Sequence, residues 1–206
     1  MTRLRTAVLI SGRGSNMAAL IDARQDAYHV VLVISNRPDT KGLEAARARA
    51  VETLTIDHKG FPDREAFERA LDEALRARDV ELVALAGFMR VLTPYFVRRW
   101  PGRLINIHPS LLPKYPGTRT HARALEAGDK EHGCTVHLVV DEVDSGQILG
   151  QARLSIRPED TPDTLAARVL ELEHELYPRC LAQWASSLSP LADGPAPPRT
   201  PPQAPR

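Results

Sequence analysis

The sequence predicts an α/β fold whose central sheet is mostly parallel and carries helices on both faces. Three observations lead there. The first part of the chain holds short, continuous apolar runs, too short for helices and without the polar alternation of a one-sided sheet. Helix-prone stretches separate them, giving a strand-helix-strand order that right-handed crossovers close into parallel pairs. With 206 residues and 43% apolar content, the chain can bury a full core of that kind.

Taken in order, Arg5 to Ser11 is the first strand, followed by a Gly-containing turn and an amphipathic stretch from Ser15 to about Arg24. Val30 to Ser35 is the second strand, Lys41 to Ala50 an Ala/Arg-rich helix, and Thr53 to Ile56 the third strand. Asp63 to Arg78 sets Phe67, Ala70, Leu71, Ala74 and Leu75 at helical spacing, and Leu82 to Ala86 is the fourth strand. A helix from about Thr93 to Trp100 leads into a fifth strand, Leu104 to Ile107. The later runs "CTVHLVV" and "ILGQARLSI" alternate more, which suits antiparallel or edge additions. Thr161 and Pro162 signal the start of a long last helix with Leu165, Val169, Leu172 and Leu176 on one face, which Pro178 should kink. From Ser189 onward seven of the eighteen residues are proline, so 1–188 reads as one domain and 189–206 as a disordered tail.

Charge excludes some functions. Lys and Arg number 27 against 26 Asp and Glu, so the chain has no global attraction for nucleic acid or membranes, and an anionic ligand must be met by local groups. The cysteines, Cys134 and Cys180, form no CxxC motif, and "MTRLRTAVLIS" has too short an apolar core for a signal peptide or a span. A reducing cytoplasm is the expected setting.

"SGRGSN", Ser11 to Asn16, lies where the first strand hands over to a helix, so free backbone N–H groups and the helix dipole favour an anion. The dinucleotide fingerprint fails, because Met17 occupies the third glycine position and the second strand ends in Ser35-Asn36 without an acidic residue. The phosphate-binding Gly-Lys-Ser/Thr pattern fails as well. What remains is a cradle for one phosphate, with Ser15 and Asn16 as added donors; the competing reading is a glycine turn that serves only its own backbone.

"LINIHPSLLPKYPG" places Asn106 and His108 on one face at the end of a strand, which Pro109 terminates. In an open parallel sheet that edge is where ligand crevices form. An amide that can donate to an oxyanion, beside an imidazole that can carry a proton, suits acyl or formyl transfer. An asparagine closing a turn and a histidine satisfying a loop carbonyl is the bland alternative. "VDEVDSGQIL" adds Asp141, Glu142 and Asp144, and a carboxylate near His108 would orient the ring and favour its charged form. Acidic residues in such a loop also serve as solvated turn formers. No HExxH, CxxC or paired-His spacing points to a metal, although His121, His132 and His137 lie in one stretch, and no GxSxG marks a nucleophile.

"VLISGRGSN", "LAGFMRVLTPYF", "GRLINIHPSLLPKYPGTRTHARALEAGDKEHGCTVH", "DEVDSGQIL" and "EHELYP" resemble, in that order, the phosphoribosylglycinamide formyltransferase family over about Val8 to Pro178. The resemblance implies a single Rossmann-like formyltransferase domain that moves the formyl group of 10-formyltetrahydrofolate to the amine of 5'-phosphoribosylglycinamide in purine synthesis. It implies that Gly12, Arg13, Gly14, Ser15 and Asn16 hold the ribonucleotide phosphate, and that Glu173 receives the glycinamide portion. Glu173 lies roughly 80° around a helix from Leu165, so it can border the buried face. Met89, Arg90, Val91 and Leu92 would line the folate site, Arg64 would approach the folate, and Val140, Asp141, Glu142, Val143 and Asp144 would form the loop over the pterin. Asn106, His108 and Asp144 become the catalytic set, Asn106 also meeting the folate, with no metal. The region Ser110 to Lys130 reads as a flap.

Related formyl enzymes are the nearest rivals. A methionyl-tRNA formyltransferase would carry a basic RNA-binding domain after the catalytic one, where this sequence has a Pro-rich tail; a formyltetrahydrofolate hydrolase would carry a regulatory domain before "SGRGSN", which only ten residues precede. A non-catalytic nucleotide-binding regulator would need the cradle without the Asn106, His108 and Asp144 set. The expected partners are small-molecule substrates, with no nucleic acid and no membrane, for a monomer or homodimer.

Overall fold

The structure, a computed structural model, describes residues 3–188, so the expected disordered tail at 189–206 lies outside the described residues. The elements are β1 (Leu4–Ile10), α1 (Ser15–Asp22), β2 (Tyr28–Ser35), α2 (Lys41–Arg47), β3 (Glu52–Thr55), α3 (Arg64–Arg76), β4 (Leu82–Leu85), α4 (Pro94–Arg99), β5 (Leu104–His108), α5 (Thr120–Glu126), β6 (Glu131–Leu138), β7 (Ile148–Ser155) and α6 (Pro162–Ser187). The strands form one seven-stranded sheet in the order β3-β2-β1-β4-β5-β6-β7. β1 to β5 pair in parallel, and β6 and β7 are added antiparallel. The chain order reverses direction beside β1, between β2 and β4, which is where an open parallel sheet leaves a crevice at its carboxyl edge.

Strand side chains alternate between two cores. Val8 and Ile10 of β1, with Ile105 and Ile107 of β5, pack on the face covered by α1 and α6. Ala7, Leu9 and Leu104 pack on the opposite face with Phe67, Leu71 and Leu75 of α3 and Phe96 of α4. Burial on both sides explains why these strands read as unbroken apolar runs. α3 is capped by Asp63, whose carboxylate accepts from the Ala66 N–H at 2.7 Å. Thr161 and Thr164 exchange side-chain and backbone bonds to start α6, a capping box with threonine in the third position. That helix runs on through buried Pro178 as one element.

Two features depart from the sequence reading. The stretch expected to be a flap contains α5, and Leu112, Thr120 and Ala124 are buried, so much of it is packed structure. The polar-rich sequence after the prolines hid a helix that buries only two of its residues. The second is Gly42. Its Cα would lie 2.9 Å from a Cβ at Gly14, which has φ of 75°, and a Cβ on Gly42 would meet the Gly12 carbonyl oxygen at 2.8 Å. The Gly42 N–H donates to that oxygen at 3.1 Å, so the first turn is pressed against the start of α2.

Candidate active site

β5 places Leu104, Asn106 and His108 on the face of α3 and α4. The antiparallel register sets His137 opposite Asn106 and Thr135 opposite His108, and these four side chains share that face. Past Pro109 the chain folds back over His108. Ser110 Oγ donates to the Lys114 carbonyl at 2.6 Å, Thr135 Oγ1 donates to the Ser110 carbonyl at 2.6 Å, and the Leu112 N–H donates to Thr135 Oγ1 at 3.1 Å. The Gln151 amide closes the network onto Thr135 and Leu112 at 3.0 and 2.8 Å. The loop therefore sets the carbonyl of Tyr115 2.9 Å from His108 Nε2.

Asp144 approaches from the other side. Its residue is in the left-handed region, with φ of 54°, and its Oδ2 accepts from the Gly117 N–H at 2.8 Å. That oxygen lies 3.4 Å from His108 Nδ1, and Oδ1 lies 3.6 Å from His137 Nε2. Both ring nitrogens of His108 thus face acceptors, and a doubly protonated ring satisfies both. Asn106 Nδ2 lies 3.2 Å from His137 Nε2, while His137 Nδ1 lies 2.8 Å from the Leu138 carbonyl. Burial pushes the His137 pKa down, against the pull of that carbonyl and of Asp144.

The structure thus brings Asn106, His108 and Asp144 together. Sequence reasoning considered His137 only as a possible metal ligand and passed over Thr135 and Tyr115. His137 was within reach of pattern reading: two residues from Thr135 on a strand next to β5, it had to share one of the faces. Its partner could not be known without the register. His121 and His132 form a separate pair, with nitrogens 3.1 Å apart. Among the described residues, no group of three or more His, Cys, Asp or Glu side chains is placed to hold a metal ion.

At the first turn, Gly12, Arg13 and Ser15 are exposed, and no acidic residue occupies the first turn of α1. Asn16 is buried; its Nδ2 donates to Glu173 Oε2 at 2.6 Å, and its Oδ1 has no partner. Burial raises the Glu173 pKa, which the Asn16 bond partly offsets. Ser11 links this turn to the next loop: its Oγ accepts from the Met89 N–H at 2.8 Å and donates to Asn36 Oδ1 at 2.6 Å.

Apart from Arg64, the remaining predicted residues lie in two loops. Among the described residues, the exposed large apolar side chains are Met89 (71%), Val91 (54%), Val140 (40%), Val143 (50%) and Ile148, and the first four belong to these loops. Scattered apolar exposure is ordinary, but concentration beside a reactive strand end marks a ligand surface. Leu92, by contrast, turns into the core, leaving only its backbone to the loop. The Arg90 guanidinium lies 5.7 Å from the Phe67 ring, and Arg64 opens α3 as an exposed cation. Glu68 holds the loop's far end by accepting from the Thr93 N–H at 2.8 Å and from its hydroxyl. Asp141 is paired with Arg98 at 2.9 Å at the surface, and Glu142 is exposed with its carbonyl bonded to Ser145 Oγ at 2.9 Å.

A family model described as formyl transferase matches residues 4–181. The chain is 53% identical over 185 residues to the trifunctional purine biosynthetic protein adenosine-3 of Drosophila melanogaster, covering 87% of this chain and 14% of that protein. It thus spans a small part of such multifunctional relatives. It is 47% identical over 181 residues to the phosphoribosylglycinamide formyltransferase of Escherichia coli (strain K12), covering 86% of this chain and 85% of the relative. The solved structure of the Coxiella burnetii phosphoribosylglycinamide formyltransferase, in complex with CHES, superposes with a TM-score of 0.86 at 49% identity, covering 90% of this chain and 89% of that one. A matched segment running from the first strand into the last helix encloses every residue of the site, so the chain belongs to the formyl transferase family.

Proposed function

We propose that this chain transfers the formyl group of 10-formyltetrahydrofolate to the amine of 5'-phosphoribosylglycinamide, a step of purine synthesis. The observation that carries the reading is the Asp144 carboxylate 3.4 Å from His108, on the strand face that also presents Asn106. The relatives of similar length support formyl transfer to the ribonucleotide. The amine attacks the formyl carbon, the carbonyl oxygen gains negative charge, Asn106 donates to it, and the positive charge of the His108 imidazolium stabilises it. Asp144 supports the imidazolium and, through water, relays the amine's proton to the departing folate nitrogen.

The two substrates approach from different sides. Backbone N–H groups of Gly12 to Asn16 and the start of α1 hold the single phosphate, with Arg13 at its exposed rim. Glu173, tied to Asn16, receives the glycinamide portion. The pterin lies on Met89, Val91, Val140 and Val143, whose exposure it covers, with the backbone of Arg90, Leu92 and Asp141 to Val143 reading its edge. Arg64 and Arg90 meet the anionic end of the folate. Residues 1–188 form the transferase domain, a small-molecule enzyme of the cytoplasm acting as a monomer or homodimer. Among the described residues no helix is long and apolar enough to cross a membrane.

Purified chain supplied with both substrates should yield formylated ribonucleotide. Asn106→Ala should lose on the order of 10²–10³ in turnover with smaller changes in KM, as expected for an oxyanion donor. Folate deformylation that proceeds equally with and without the ribonucleotide would instead identify a hydrolase, and near-normal turnover in Asn106→Ala would remove that residue from the mechanism.

A further inference from the structure

Asn106 can stabilise an oxyanion only if its NH2 end, and not its carbonyl, faces the reacting group. The structure shows what decides this. His137 lies directly across the ladder from Asn106, with Nε2 3.2 Å from the amide nitrogen. Its Nδ1 lies 2.8 Å from the Leu138 carbonyl oxygen, which can only accept, so the ring proton sits on Nδ1. In the neutral ring Nε2 then carries a bare lone pair, which requires a donor, and the donor end of Asn106 is its NH2. The amide orientation follows from the Leu138 carbonyl, independently of how the amide atoms are assigned.

We propose that His137 is a positioning residue for the formyl-transfer reaction: its bare Nε2 accepts one N–H of Asn106 and leaves the second N–H for the oxyanion. This rests on the formyl-transfer reading above. The register of β6 against β7 shifts between Val136 and His137, an irregularity of the kind that re-aims a side chain beside an active site. The charged and titratable groups facing the ring are Asp144 and His108, and Asp144 favours a proton on Nε2. Burial opposes that proton and keeps the ring neutral. Were Nε2 protonated, Asn106 would turn its carbonyl to it, and an oxygen lone pair would then occupy the place of the donor to the oxyanion.

The test reads the tautomer and its catalytic consequence separately. Imidazole nitrogen NMR of the full chain, with His137 assigned by comparison with His137→Gln, should show at neutral pH a protonated Nδ1 and an unprotonated Nε2. A protonated Nε2 overturns the proposal whatever the enzyme's activity, and this measurement decides it even if a variant fails to fold. In transfer assays His137→Leu should lose on the order of 10² in kcat with KM values within about threefold, while His137→Gln, whose amide oxygen can accept near the Nε2 position, recovers most of that loss. Because His137 acts through Asn106, the double variant Asn106→Ala, His137→Leu should be no slower than Asn106→Ala alone; losses that multiply would overturn the proposal. A wild-type protein that transfers no formyl group refutes the reaction assigned above, and the tautomer measurement still stands on its own.

Discussion

Replacing Asp144 by asparagine isolates one charge at the centre of the site. Asparagine tolerates the left-handed backbone that Asp144 adopts, at φ of 54°, and its side-chain oxygen can still accept from the Gly117 N–H. What disappears is the attraction between the carboxylate and the His108 imidazolium of the proposed transfer step. At an effective dielectric of about 20, opposite charges 3.4 Å apart attract by about 5 kcal/mol. Both side chains are shielded from water, at 6% and 10% exposure, so solvent screens little of this, but desolvation of the pair offsets part of it. A loss of about 3–4 kcal/mol of transition-state stabilisation corresponds to a fall on the order of 10²–10³ in kcat. Steady-state transfer assays on Asp144→Asn and on Asp26→Asn, which removes the same charge from an exposed pair with Arg3, make the comparison. The reasoning fails if Asp144→Asn stays within about threefold of wild type while its unfolding temperature is unchanged.

Three further outcomes follow from the packing. Gly14→Ala puts a Cβ 2.9 Å from the Gly42 Cα at φ of 75°, so calorimetry should show a destabilisation of at least about 1–2 kcal/mol and the ribonucleotide KM should rise while the folate KM holds. Tyr177 is fully buried and shares its hydroxyl proton between the carbonyls of Leu85 and Ile105 at 3.1 and 2.9 Å; Tyr177→Phe should cost about 1–2 kcal/mol in denaturant unfolding, and an unchanged midpoint would contradict this. Burial, with the neighbouring His121 second, holds the His132 pKa down at about 4, below the unfolded value of 6.5. The unfolded chain therefore binds more protons between those values. The stabilisation is fully present above pH 6.5 and is lost as pH falls toward 4, by about 3 kcal/mol in all. His132→Asn should flatten the unfolding temperature across that window relative to wild type.

The fold was legible wherever one rule governed a stretch. β1, β2 and β4 are buried on both faces, so their runs carried no competing polar pattern, and the capping residues Asp63 and Thr161 marked their helices. α5 was not legible, because its seven residues, THARALE, bury little and follow a proline-broken loop. At the site, the spacing of Asn106 and His108 carried their shared face, but the reach of Asp144 depends on the 139–147 loop folding back, which no local pattern encodes. The positions of His137 and Gly42 depend on strand register and on the approach of one turn to another. The burial of Glu173 depends on the packing of α6 on α1, which helix spacing alone does not encode.

The architecture also bears on how a formyl group would travel in the proposed reaction. The first turn, the proposed phosphate cradle, and Glu173 belong to the α1 and α6 side of the sheet, and the exposed apolar loops and Arg64 to the α3 and α4 side. β5 ends between them, so under the proposed function a donor on one side and an acceptor on the other would meet at Asn106 and His108. A covalent relay would need a nucleophile at that meeting point. The thiols are poor candidates, since burial pushes Cys134 up to about 12 and raises Cys180, and both side chains are buried among apolar neighbours on the α6 face. The hydroxyl of Ser110 donates to the Lys114 carbonyl and that of Thr135 to the Ser110 carbonyl, and neither is paired with a base. In the proposed reaction, direct attack by the substrate amine is the step that this arrangement of donors would serve. Single-turnover experiments should therefore find no formyl group retained on the protein when the ribonucleotide is withheld, and a formylated protein isolated under those conditions would refute direct transfer.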